Sequence, residues 1–389
     1  MAIITIVGSG MIAIDEIAKS LQINIENADF CGDYPIFFSK IAGKRVCVVS
    51  DANTNQFARE ISAKIQARGG AAAQAFFDEK ELIPDEHVYE GVEKIAKETN
   101  SEYILAVGSG SLNDVCKYVS TRLSVPCGVL ATACSMDGYV SKGAALMEKQ
   151  FKVTETVHTP SDVLINADVL VTAPRIMTAA GFGDIMGKYT CLADWRLSHI
   201  FNGEPINEEA YRLMEQARED CKHSFPELLK YDKAAIEKLM NALVVAGLAM
   251  AICGNSRPAS GSEHHMSHYL EMDFVSRGEP VPPHGVKVAI GTLISIEIYN
   301  FLREHRVQFP HCEEAYSLCG ELPEAQELKS MFEKIGCPTR FSQIGVRRET
   351  MEAMLEKAYA VRDRYTVLTL VHRLNLTEKI KPIVMEKYF

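Results

Sequence analysis

Between Arg45 and Ala131 the chain alternates short β-rich runs with stretches of helical periodicity. Arg45-Val-Cys-Val-Val-Ser50 reads as a buried strand, and Asn55 to Gly69 as an amphipathic helix. Ala72 to Phe77 reads as a second strand, followed by a helix from Pro84 to Thr99 with proline and acids in its first turn. Tyr103 to Val107 gives a third strand, Leu112 to Leu123 a helix, and Cys127 to Ala131 a fourth strand. Antiparallel neighbours can be joined by tight turns, but strands separated by helices of this length need crossovers. The pattern therefore predicts a parallel α/β sheet. Asp162 to Val171 adds further β character.

After Pro174 the pattern changes. Glu208 to His223, Ala234 to Ile252, Val286 to His305, Pro323 to Ile335 and Arg348 to Arg364 carry helical periodicity, with no convincing strand between them. The expectation is an α/β domain over residues 1–172 and an all-helical domain over 173–389. A length of 389 residues allows two full-sized cores.

Composition excludes several classes. The chain is 47% hydrophobic and 24% charged, ordinary for a folded globular protein. A net charge of -10 argues against a general nucleic-acid or anionic-membrane surface. The 11 cysteines are scattered with no C-x-x-C pair, which excludes zinc ribbons and thioredoxin-type motifs. Residues 1–10 are apolar without a basic flank, and no run reaches the ~18 apolar residues of a membrane span. These features together predict a cytoplasmic protein.

The helical half holds an unusual cluster. Gly261-Ser-Glu-His264-His265-Met-Ser-His268 is followed by His284-Gly285, so four of the 11 histidines fall between positions 264 and 284. On a helix His264 and His268 share one face. Two imidazoles and a third from the next segment suit a divalent-metal site with room for substrate; a surface helix with incidental histidines is the plainer alternative. Upstream, Asp184 lies in Gly181-Phe-Gly183-Asp184-Ile-Met-Gly187-Lys188, which reads as a glycine-punctuated turn. It is either a carboxylate ligand or a helix N-cap.

In the α/β half, Gly108-Ser-Gly110-Ser111-Leu112-Asn113-Asp114 joins a strand to a helix. Such a turn suits a pyrophosphate, although a plain tight turn explains it too. Asp51 either bonds an adenosine ribose, disfavouring a 2′-phosphate, or caps the next helix. The segment Ala131-Thr132-Ala133-Cys134-Ser135-Met-Asp137-Gly-Tyr-Val-Ser141-Lys142-Gly143 is a polar loop at a strand's C-terminal end, where open α/β sheets hold ligands. Lys142 is a possible phosphate partner there.

Taken together, these segments resemble the sn-glycerol-1-phosphate dehydrogenases, in the superfamily of iron-containing alcohol dehydrogenase, glycerol dehydrogenase and dehydroquinate synthase. The resemblance runs from about residue 45 to 295, and its most specific parts are the Ser-Met-Asp-Gly-Tyr loop and the Gly-Ser-Glu-His segment. It implies an α/β dinucleotide-binding domain followed by an all-helical metal-binding domain. By that resemblance Asp184, His264 and His284 hold the metal, and Asp137, Asp184 and His268 are the catalytic and substrate-binding residues. By the same resemblance Gly110, Ser111, Leu112, Asn113, Asp114, Thr132, Ala133, Cys134, Ser135 and Ser141 hold NAD(H) or NADP(H); Gly108 and Asp51 join them as expected cofactor residues on their own positions at strand ends. His265 has no assigned role. Ser109 departs from the family's usual Gly-Gly-Gly-Ser turn, and the last hundred residues match no motif.

The implied reaction is NAD(P)H-linked reduction of dihydroxyacetone phosphate to sn-glycerol 1-phosphate. An unphosphorylated-polyol dehydrogenase is the nearest alternative. A dehydroquinate synthase-like lyase and a non-catalytic metal- or nucleotide-binding protein are the others. The expected metal is zinc, with nickel or iron as alternatives. A phosphorylated triose is the expected substrate, with no nucleic-acid or membrane partner. The expected assembly is a homo-oligomer, a dimer or larger.

Overall fold

The computed structural model describes residues 14–28, 32–80, 82–148 and 151–389. The expectation for residues 1–10 lies outside them. Two compact units divide the chain. The first comprises the described residues up to Cys134, Gly138–Pro174 and Tyr231–Ala251; the second comprises Ser135–Asp137, Arg175–Lys230 and Ile252–Phe389.

The first unit is built on a six-stranded sheet. Its strands are β1 (Asn24–Asn27), β2 (Arg45–Asp51), β3 (Ala71–Phe77), β4 (Tyr103–Gly108), β5 (Cys127–Ala131) and β8 (Asp162–Ile165), ordered β1-β8-β5-β4-β2-β3. All neighbours are parallel, with Val49 opposite Ala106 and Gly108 opposite Ala131. Helices α1 (Asn55–Ala67), α2 (Glu86–Glu98) and α3 (Gly110–Leu123) make the crossovers, as the alternating pattern predicts. Strands β4 and β5 are wholly buried, which explains their unbroken apolar sequence. On one face Phe37, Ile41, Val46, Val48, Ile61, Ile65, Leu105 and Leu164 form a shared core. Strand order reverses between β2 and β4, so their C-terminal ends flank the crevice where open α/β sheets take ligands.

Two features were not anticipated. Gly143–Glu148 (β6) and Phe151–Thr156 (β7) pair as a separate antiparallel hairpin. The β character expected over Asp162 to Val171 ends at Ile165, where Asn166 caps a helical turn over Ala167–Leu170 by accepting the Asp168 N–H.

In the second unit, α4 (Arg175–Met186), α5 (Lys188–Asn202) and α6 (Glu208–His223) precede α7 (Lys233–Cys253), most of which belongs to the first unit. They are followed by α8 (Ser262–Ser276), α9 (His284–Glu304), α10 (Ala325–Ile335) and α11 (Arg348–Lys357). Helix α11 stops well short of the expected Arg364. A 3-10 turn over Ala358–Ala360 ends it, and bonds from Arg362 and Arg364 to the Ser256–Ser260 loop hold the next segment off the helical path.

Asp184 is a correction. It lies inside α4, not in a turn. The neighbouring glycines serve helix contact: α9 packs on both α4 and α8. A methyl at Gly183 would stand 2.6 Å from the Gly285 carbonyl oxygen, and one at Gly291 would stand 2.8 Å from that of Glu263. Helices α7 and α9 are another correction, because both are long and apolar enough to cross a membrane. Their most apolar stretches are 72% and 89% buried in the protein, so both are largely buried helices of the folded chain.

Candidate metal and cofactor site

Three separate helices bring the expected ligands together in the second unit. Asp184 comes from the last turn of α4, His264 from the first turn of α8, and His284 opens α9. One ligand atom from each lies within 4.8 Å of the others. The His264 and His284 rings are 5.0 Å apart between centroids, and His268 stands 6.2 and 5.9 Å from them. The i,i+4 spacing therefore does place His264 and His268 on one face of α8.

Each imidazole is oriented by a carboxylate. Glu263 Oε1 sits 2.8 Å from His264 Nδ1, and also accepts the Gly261 N–H at 2.6 Å. Its other oxygen accepts the Thr190 hydroxyl at 2.6 Å. Held at Nδ1, His264 turns Nε2 toward Asp184, 3.6 Å from Oδ1. Glu271 serves the other two rings: Oε2 is 3.2 Å from His268 Nδ1, and Oε1 is 3.4 Å from His284 Nδ1. Lys287 steadies that carboxylate by donating to Oε1 at 2.9 Å. Carboxylates behind imidazoles in this way fix ring and tautomer in metal sites.

The electrostatics favour the neutral form of His264 and His268, the form in which an imidazole can bind a metal. Burial pushes His264 well below the usual histidine range, helped by Lys188, His284, His268 and Arg362. Burial also brings His268 down to about 4, opposed by Glu271. Glu263 is pushed up to about 7 by burial and by Asp194.

Asp137 belongs to the same group. Its N–H donates to Asp184 Oδ2 at 3.1 Å, and Lys188 bridges Asp137 Oδ2 at 2.6 Å and Asp184 Oδ1 at 2.9 Å. Lys188 is fully buried and also donates to the Ala259 carbonyl at 2.9 Å. Burial and the Asp184 charge raise Asp137, while Lys188 opposes them. The sequence reading missed Lys188, Glu263 and Glu271. Lys188 stands at i+4 from Asp184 and Glu271 at i+3 from His268, spacings that mark helical pairs. His265 lies buried beside the cluster with both ring nitrogens unpartnered.

The expected cofactor residues gather along the sheet's C-terminal edge in the first unit. Asp51 ends β2, Gly108 ends β4, and Thr132 follows β5, its N–H bonded to the Gly108 carbonyl at 3.1 Å. Gly110, Ser111 and Leu112 form the first turn of α3, where helical N–H groups have no partner of their own. Ala133 and Cys134 are buried, and the Cys134 thiol donates to the Ile236 carbonyl. Ser135 is counted with the second unit.

Several of these side chains are engaged in holding the loop. Asn113 donates to the Tyr139 carbonyl at 3.0 Å, and Asp114 accepts the Ala145 N–H at 3.0 Å. Buried Lys117 pairs with Asp114 at 2.8 Å and donates to the Gly138 and Gly143 carbonyls. Ser141 bonds the same two carbonyls at 3.0 and 3.1 Å. At Asp51, Oδ1 accepts from the Asn53 N–H, the Thr54 N–H and the Thr54 hydroxyl, each at 2.9 Å, which is a cap for the turn into α1. Lys142 is exposed on the hairpin.

Residues 26–174 match the family model described as iron-containing alcohol dehydrogenase. Among curated proteins, the chain is 34% identical over 346 residues to a glycerol-1-phosphate dehydrogenase, NAD(P)+, of Bacillus velezensis, covering 86% of this chain and 87% of that one. It is 31% identical over 348 residues to the protein of that name from Bacillus licheniformis, covering 88% and 86%. In fold it is similar to the glycerol dehydrogenase structure from Schizosaccharomyces pombe, with a TM-score of 0.70 and 18% identity over 94% of this chain and 91% of that one. At that identity the likeness speaks for the fold, while the curated relatives settle the lineage. The chain belongs to the glycerol-1-phosphate dehydrogenase family.

Proposed function

We propose that this protein catalyses the metal-dependent, NAD(P)H-linked reduction of dihydroxyacetone phosphate to sn-glycerol 1-phosphate, and the reverse oxidation. The observation that carries this reading is the convergence of Asp184, His264 and His284 beside Asp137 and His268, in a chain so similar to relatives of that name.

The donor set fits a divalent cation. It offers one carboxylate oxygen and two imidazole nitrogens, with a carboxylate behind each imidazole and burial holding His264 neutral. Zinc is the metal we propose, and nickel and iron suit the same donors. When bound, the ion supplies Lewis-acid polarisation of the substrate carbonyl.

The rest is the work of the chain's own residues. Glu263 and Glu271 hold the rings so that Nε2, not Nδ1, faces the centre. Lys188 offsets the charge of two buried carboxylates and fixes their spacing. Asp137 orients a substrate hydroxyl. His268, its Nδ1 held by Glu271, offers Nε2 to the substrate hydroxyl as a hydrogen-bond acceptor. Residues at the C-terminal ends of β2, β4 and β5 would hold the nicotinamide dinucleotide, and the unpaired N–H groups at the start of α3 would suit its pyrophosphate. In this reading residues 1–172 serve the cofactor, apart from Asp137, and residues 173–389 serve the metal and, with Asp137, the chemistry. The ten described cysteines are all free, which supports the reading of a reducing, cytoplasmic setting.

The test is NADH and NADPH oxidation by the purified protein, with dihydroxyacetone phosphate compared with dihydroxyacetone. A strong preference for the phosphorylated ketone is expected, because binding energy from the remote phosphate positions the reacting carbon. Equal turnover of the two would move the protein to the polyol dehydrogenases.

A further inference from the structure

The second unit also contains a cavity of about 810 Å³ with an unusual wall. Arg257, Arg362, Arg364 and Arg373 all line it, against two acidic residues, Glu204 and Asp363. Arginines brought this close repel one another unless anions separate them. Among the described residues only Arg257 makes a direct ion pair, its Nη2 lying 3.0 Å from Glu204, while Glu204 and Glu271 act on Arg364 and Arg362 without a direct ion pair. Among the described residues, no carboxylate pairs with Arg362, Arg364 or Arg373.

What these guanidiniums do touch is neutral. Arg364 donates to the Ser260 carbonyl at 2.7 Å and the Ser256 hydroxyl at 3.1 Å. Arg362 has a single bond of 3.3 Å to the Ser256 hydroxyl. Arg257 is 1% exposed, yet its Nε and Nη1 are buried without any partner. Burial and the neighbouring Arg257 and Arg362 bring Arg364 down to about 10, so it stays charged at neutral pH. Several buried or half-buried cations with unused donors are costly unless a ligand completes them.

The cluster adjoins the histidines. The 3-10 turn Ala358–Ala360, two residues before Arg362, packs on α8. The Ser260 carbonyl that Arg364 holds lies next to Gly261, where α8 begins. Arg362 is close enough to act electrostatically on His264, His268 and Glu271. The metal-site residues do not themselves line the cavity, so Arg362 is the link between the two places.

We infer that Arg362 and Arg364, with Arg257 behind them, form the seat for the phosphate of the phosphorylated ketone. A phosphate monoester dianion has the charge and the acceptor oxygens that forked guanidiniums match. In dihydroxyacetone phosphate one carbon and one ester oxygen separate the carbonyl from phosphorus, so its phosphate needs a cationic seat close to the metal site. The assignment rests on the proposed function and extends it: these residues are what separates this site from that of a plain polyol dehydrogenase.

The test uses Arg362→Gln, since Arg362 carries the least structural hydrogen bonding of the three. With the metal-loaded enzyme, kcat/KM for dihydroxyacetone phosphate should fall about 30- to 1,000-fold, most of it in KM, while metal content and the thermal midpoint stay at wild-type values. Arg362→Lys should recover part of the loss. Inorganic phosphate should inhibit the wild type competitively against the substrate, and inhibit Arg362→Gln far more weakly. Unchanged kcat/KM in Arg362→Gln, or phosphate inhibition that is not competitive, overturns the phosphate seat while leaving the function intact. No turnover of dihydroxyacetone phosphate by the wild type removes the function, and the seat with it.

Discussion

Replacing Gly285 with alanine tests how the metal centre is built. Gly285 follows the proposed ligand His284 at the start of α9 and lies against α4, which carries Asp184. A methyl there would stand 1.9 Å from the Ala180 carbonyl oxygen and 2.5 Å from its carbon. Real Cβ atoms keep at least 3.0 Å, so the two helices must separate by about 1.1 Å or more at this point. Neither obstacle is a flexible side chain: both are backbone atoms of a packed helix. The strain should cost about 1–3 kcal/mol of stability, as overpacking does. The larger effect is on the site, because the shift moves His284 relative to Asp184 among donors now within 4.8 Å. A misplacement of that size can lower the rate by roughly a hundredfold. The assays are metal retained after dialysis, thermal midpoint, and kcat/KM with dihydroxyacetone phosphate. Gly320→Ala is the control, since nothing lies within 4 Å of its added methyl. If Gly285→Ala keeps wild-type metal and rate, the helix contact does not set the ligand geometry and this reasoning fails.

Other perturbations separate the roles within the site. His268→Ala should keep the metal and lower kcat/KM by about 10²- to 10⁴-fold; loss of the metal instead would make His268 a ligand. Glu263→Gln should weaken metal affinity about 10- to 100-fold by releasing His264 Nδ1, as loss of an orienting partner does, and an unchanged dissociation constant would show that Glu263 only supports the fold. Asp51→Ser should cost about 1 kcal/mol by weakening the side-chain bonds that hold the turn before α1. If Asp51 also meets the ribose, the NADH-to-NADPH preference should relax in the same variant; a stability loss with no change in preference would leave Asp51 a turn residue alone.

How much of this was legible from the chain depended on how local the signal was. The parallel sheet could be read because each crossover carries its own period, and every strand from β2 to β5 fell close to its expected place. The pairing of His264 and His268 followed from helical spacing. Asp184 was misplaced because glycines suggest turns, whereas Gly183 and Gly285 let two distant helices touch, which no window of sequence reveals. Lys188 and Glu271 were visible at i+4 and i+3 spacing but carried no sign of burial. The arginines at 257, 362 and 364 are brought together only by the tertiary fold, and Arg348 to Arg364 looked like one helix until its end proved to be held elsewhere.

The central claim is that one metal ion, held by Asp184, His264 and His284, makes this chain a reductase of dihydroxyacetone phosphate. The most direct measurement is a titration of verified metal-free protein with zinc, nickel or iron(II), following NADH oxidation with that substrate and identifying the product enantiomer. Activity should be absent at first, rise linearly to one equivalent per chain, then stop, and the product should be sn-glycerol 1-phosphate; Asp184→Ala should stay inactive throughout. Full activity in the metal-free protein, or restored activity in Asp184→Ala, would contradict the account.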